Sequence, residues 1–128
     1  MPHFHVRVAE EDLTPEVETR LIHELTQAAI RVYGDWACPI AHVELHGSSR
    51  RRIGVGGAPT QREAPSVTMN IREEAFHRPD FVNGPAQLFA AITDAVVAVF
   101  GESVRPHVTV QLVGIPAARS GASEVVAA

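Results

Sequence analysis

Residues 21–47, LIHELTQAAIRVYGDWACPIAHVELHG, return 67 positions later as residues 88–114, LFAAITDAVVAVFGESVRPHVTVQLVG. Nine pairs are identical: Leu21/Leu88, Thr26/Thr93, Ala28/Ala95, Val32/Val99, Gly34/Gly101, Pro39/Pro106, Val43/Val110, Leu45/Leu112 and Gly47/Gly114. Tyr33/Phe100 and Asp35/Glu102 keep shape and charge through the turn that follows. Further out, residues 2–8 (PHFHVRV) lie over residues 65–71 (PSVTMNI) at an offset of 63, and Glu10 and Glu11 then lie over Glu73 and Glu74. The change of offset places four extra residues of the second copy between Ala75 and Pro85, where a loop absorbs them. The chain is a duplication.

Each copy reads as strand, helix, strand. Phe4, Val6 and Val8 alternate with His3, His5 and Arg7, the period of a strand with one buried face. Thr14 and Pro15 supply an N-cap and a first helical position, with Glu16 and Glu18 near the positive end of the dipole and Gly34 as the stop. Between them Val17, Leu21, Leu25, Ala28 and Val32 recur at helical spacing and form one stripe. Ala41, Val43 and Leu45 alternate as a second strand. The second copy repeats the plan: Val67, Met69 and Ile71; then Leu88, Ile92, Ala95 and Val99, with Asn83 and Pro85 as start signals; then Val108, Val110 and Leu112. Parallel strands joined by a crossover helix connect right-handedly. The expected fold is therefore α/β, an α+β sandwich whose two β-α-β repeats form a four-stranded sheet with both helices on one face. The polar residues His3, His5, His42, Thr68 and Thr109 mark the other face, which predicts an oligomer.

The 128 residues fit one domain, with repeat one at about 2–57, repeat two at about 65–114 and a tail at 115–128. The glycines of residues 47–59 predict a short hairpin as an edge element. They do not open a helix after a buried strand, and no Gly-Lys-Ser/Thr follows, which argues against a phosphate loop. Arg50, Arg51 and Arg52 read as solubility or interface residues. A net charge of -4 argues against a nucleic-acid partner. No signal peptide and no membrane span is expected, and the lone Cys38 allows no internal disulfide, so a reducing cytoplasm is the expected location. His3 and His5 share a strand face, but spacing fixes no third ligand beside them; no metal is expected.

A proline after the initiator Met, the DLTP of residues 12–15, a helix closed by glycine, and the IGVGG of residues 53–57 resemble the 4-oxalocrotonate tautomerase pattern of the tautomerase superfamily. The resemblance spans nearly the whole chain. Its doubled form is similar to that of cis-3-chloroacrylic acid dehalogenase, carboxymethyl-hydroxymuconate isomerase and relatives of macrophage migration inhibitory factor. The opening Pro-His-Phe looks like the isomerase branch, whereas residues 12–15 and the GIPAA of residues 114–118 look like the dehalogenase branch. The resemblance implies a homotrimer, no cofactor, and a small enol or keto carboxylate as substrate.

It also implies that Pro2 is catalytic once Met1 is removed. The chemistry agrees: a proline freed at its nitrogen is a secondary amine, and an α-amino group titrating at about 7.7–8.0 falls further beside a cation or when buried. The plain alternative is that Pro2 merely begins a strand, as Pro65 must. Arg72 and Arg78 lie where the dehalogenase branch carries substrate-binding arginines, with Arg7 as a third candidate. Gln111 falls at that branch's tyrosine and is a further substrate-binding candidate. Its helix histidine falls at Ala29 and its water-activating glutamate near Ala122, while Glu44 replaces a second-strand arginine of the tautomerase pattern. The expected activity is keto–enol isomerisation. The alternatives are a cis-3-haloacrylate dehalogenase, hydratase or decarboxylase using protonated Pro2, and a non-catalytic trimeric interaction module.

Overall fold

The computed structural model describes residues 2–60, 64–119 and 121; Met1, Ala122 and the end of the tail lie outside them. Strand β1 (Pro2–Ala9) follows its predicted period, with Phe4, Val6 and Val8 buried and His3, His5 and Arg7 on the other face. Helix α1 (Pro15–Tyr33) starts where the Thr14 hydroxyl accepts a hydrogen bond from the Val17 N–H at 3.2 Å, with Pro15 in the first turn. It stops at Gly34, whose φ of 107° disfavours other residues. Strand β2 (His42–Ser48) then returns parallel to β1, placing His3 beside His42 and His5 beside Glu44.

After a 3-10 turn at Arg50–Arg52, strands β3 (Gly54–Val55) and β4 (Ala58–Pro59) pair through a turn with positive φ at Gly56 and Gly57. The hairpin is present, but it is a separate two-stranded sheet rather than an edge of the main one. Its two-residue strands are too short to extend a ladder. Strand β5 (Ser66–Arg72), helix α2 (Gly84–Phe100) and strand β6 (Thr109–Ile115) complete the second unit, with β5 and β6 parallel. Pro85 occupies the first turn of α2 as expected. Asn83 does not cap by a side-chain bond: it adopts the left-handed conformation, φ 54° and ψ 39°, which turns the chain into the helix instead.

The sheet order is β2-β1-β5-β6, with β1 and β5 antiparallel at its centre. His5 faces Thr68, its own counterpart at the offset of 63. The two units are thus related by a pseudo-twofold axis, and Pro2 and Pro65 stand at opposite ends of the sheet. Both helices pack on one face, where Leu25, Ala28 and Ala29 of α1 and Leu88, Ile92, Ala95 and Val96 of α2 meet Phe4, Val6, Val67 and Met69. Burying each large apolar side chain is worth about 1.5–3 kcal/mol, so this layer fixes which face is covered. The repeat also preserves a close approach. A Cβ added at Gly47 would lie 3.1 Å from the Glu10 Cα, and one at Gly114 would strike the carboxylate of Glu73, the residue equivalent to Glu10.

At the end of α1, the Tyr33 ring stacks on Phe81 at 5.1 Å and tilts against Trp36 at 5.8 Å. Its buried hydroxyl has no hydrogen-bond partner among the described residues. Burial raises its pKa from 10.0 to about 12, with the nearby Arg78 charge pulling the other way. The unfolded phenol therefore ionises first, and stability falls as pH rises from about 10 towards 12. Tyr33 is the only tyrosine, so phenolate absorbance reports it alone. Alkaline titration of the folded protein is expected to give a midpoint near 12, moving higher in Arg78→Ala; a folded-state midpoint at 10 would contradict this packing.

Candidate functional site

Three elements converge where β1 begins. Pro2 is buried at the strand start, opposite Ile71 of β5. Arg72 ends β5, and the 3-10 turn Glu73–Phe76 and the inserted loop follow, carrying Glu74, Ala75 and Arg78. From the other side comes the 3-10 turn Asp35–Ile40 after α1, which presents Trp36 and Ile40. These side chains enclose a cavity of about 410 Å³ lined by Trp36, Ile40, Ile71, Arg72, Glu74, Ala75 and Arg78. Pro2 is not in the lining itself, although its cross-strand partner is.

Both arginines are held loosely. The Arg72 guanidinium lies 4.0 Å from the Glu74 carboxylate, and Arg78 lies 3.4 Å from Asp80. Such half-exposed pairs contribute little, so a ligand carboxylate competes with them readily. Arg78 also sits 5.6 Å from the centre of the Trp36 ring, a cation–π distance that holds its head at the cavity wall. The arrangement is an apolar pocket with two cations at its rim, suited to a small organic anion.

The other end of β1 supplies an internal control. Ala9, Glu10, Glu11, Ser48, Ser49 and Arg50 line a cavity of about 350 Å³ there. Ala9 stands where the second copy has Arg72, and Arg50 is engaged by Glu11 at 2.6 Å. In the turn after α2, Ser103 and His107 replace Trp36 and Ile40. The loosely held arginines and the aromatic wall are therefore both found at the Pro2 end.

The remaining sequence candidates lie elsewhere. Gln111 is exposed on β6 opposite Thr68, on the face without helices, and does not line the cavity. Arg7 is exposed far along β1, opposite His46 and Ser66. Ala29 is wholly buried in the helix–sheet core. Ala122 lies outside the described residues. Sequence reasoning missed Trp36 and Ile40; the available signal was their replacement by Ser103 and His107 in an otherwise repeated turn. It also left His3 and His5 without a carboxylate. Parallel pairing brings Glu44 to them, 2.9 Å from His3 Nε2 and 3.4 Å from His5 Nδ1.

Among the described residues no helix is long and apolar enough to cross a membrane. No family model and no curated protein matches the sequence. Solved structures do match in shape. The F6 fused 4-OT, an asymmetric trimer, superimposes with a TM-score of 0.82 at 22% identity, over 98% of this chain and 95% of that one. Ps01740 gives 0.77 at 22% identity, over 94% and 100%. N1, of the cis-3-chloroacrylic acid dehalogenase family, gives 0.78 at 16% identity, over 99% and 84%. The chain therefore has the fused tautomerase fold, as the duplicated β-α-β pattern and its resemblance led one to expect.

Proposed function

We propose that the chain is a cofactor-independent keto–enol tautomerase acting on a small carboxylate, with Pro2 as general base and then acid once Met1 is removed. The observation that carries the proposal is the asymmetry of the duplication. Arg72, Arg78, Trp36 and Ile40 gather at the Pro2 end of the sheet, and their counterparts do not gather at the Pro65 end.

The chemistry follows from these positions. Burial at the strand start and the cations of Arg72 and Arg78 both favour the neutral amine, leaving Pro2 able to accept a proton near neutral pH. Arg72 and Arg78 bind the substrate carboxylate and stabilise negative charge on the enolate oxygen as the proton leaves. Trp36, Ile40 and Ile71 exclude water from the carbon skeleton. The protonated amine then returns the proton at the new position, which leaves the enzyme unchanged. The F6 and Q0 fused 4-OT structures are trimers, which supports a homotrimer for this chain, built on the uncovered polar sheet face in the cytoplasm.

With Met1-processed protein, phenylenolpyruvate ketonisation is expected to be measurable and to fall by about 10²–10⁴-fold in Pro2→Ala. Equal inertness of both proteins would remove the proposal. Halide release from cis-3-chloroacrylate without ketonisation would replace it with the hydratase reading.

Arg72→Ala and Arg78→Ala are each expected to lower kcat/KM by about 10–100-fold, the worth of one charge-assisted hydrogen bond. Arg7→Ala is expected to change it little. Steady-state kinetics on the same substrate checks both, and a loss confined to Arg7→Ala would relocate the site.

A further inference from the structure

The face of the sheet away from the helices carries a donor set that the proposed isomerase chemistry does not use. His3 and His5 project from β1, and His42, Glu44 and His46 project from β2 beside them. One oxygen of Glu44, Oε2, lies 2.9 Å from His3 Nε2 and 3.4 Å from His5 Nδ1. One ligand atom from each of His3, His5 and Glu44 lies within 4.8 Å of the others. Two ligands bound at about 2.1 Å to a tetrahedral ion sit about 3.4 Å apart, so the three need only small side-chain adjustments to share one.

We propose that His3, His5 and Glu44 form a site for a borderline divalent cation, with Zn²⁺ as the type ion. Two imidazoles and a carboxylate are a zinc donor set that leaves a fourth position for water. The donors stand on adjacent strands of one ladder, so the backbone positions them before any ion arrives. In the single chain the three side chains are 33%, 38% and 49% exposed, on the face where the proposed trimer assembles, so an ion held there would sit among the subunits. Two more imidazoles flank it. The His42 ring is 5.1 Å from His3, and the His46 ring stacks at 6.0 Å from His5. This reading does not depend on the tautomerase proposal.

The test uses tag-free, Met1-processed full-length protein, dialysed against ZnCl₂ with bound metal counted by mass spectrometry, and titrated with Co²⁺ for its visible absorption. One Zn²⁺ per chain is expected, with Co²⁺ giving the spectrum of a four- or five-coordinate site. His5→Asn and Glu44→Gln should each weaken binding by more than about tenfold, since losing even an outer-shell partner costs 10–100-fold. His23→Asn on the exposed side of α1 and Cys38→Ser should retain the metal, with circular dichroism confirming that all variants fold. No bound metal in the parent protein overturns the proposal. So does binding that survives both strand variants, or binding lost in Cys38→Ser or His23→Asn.

Discussion

The antiparallel pairing of β1 with β5 joins the two halves of the molecule into one sheet. Each β-α-β unit has an apolar helix stripe but too little sheet to cover it, and joining the two inner strands makes one four-stranded floor for both helices. Pairing in the register that sets His5 against Thr68 keeps Phe4, Val6, Val67 and Met69 on the helix side. A slip of one residue would turn those side chains out and bring His5 and Thr68 inward. The same register sends Pro2 and Pro65 to opposite ends, so one ancestral strand start became two locations free to diverge.

Divergence is where function becomes visible. The core residues of the copies match closely, because each must pack the same helix on the same strands. The ends do not match. Trp36 faces Ser103 in the alignment of the copies, Ile40 faces His107, and Arg72 faces Ala9. These differences make one cavity apolar and cationic at its rim and the other polar, with its arginine engaged by Glu11. Pro65 adds a chemical reason for the division, since its nitrogen is always an amide and can never serve as a base.

Much of this was legible in the sequence. The repeat, the strand and helix periods, the Thr14 cap and the glycine stop all act over a few residues, and Leu21, Leu25 and Ala28 are buried as their spacing requires. Arg72, just after a strand, and Arg78, inside the inserted loop, were site candidates through their resemblance to the dehalogenase branch's arginines. What was not legible depends on neighbours distant in sequence. The meeting of Trp36 with Arg78 joins a turn after α1 to a loop before α2. Glu44 reaches His3 and His5 only through the parallel register of β1 and β2. Gln111, placed by resemblance alone, stands on the uncovered face rather than at the cavity. The hairpin strands were legible from glycine positions, but their separation from the main sheet was not.

In the proposed reaction a free Pro2 amine is the reactive group of a site for small keto acids. 2-Oxo-3-pentynoate is an electrophilic alkyne of that class. Treating the Met1-processed protein with 2-oxo-3-pentynoate and mapping the adduct by tandem mass spectrometry shows whether that amine reacts. One adduct is expected, on the peptide that begins at Pro2, with protein retaining Met1 left unlabelled. Labelling of the exposed Cys38 instead, or equal labelling of the Met1-retaining form, would contradict it.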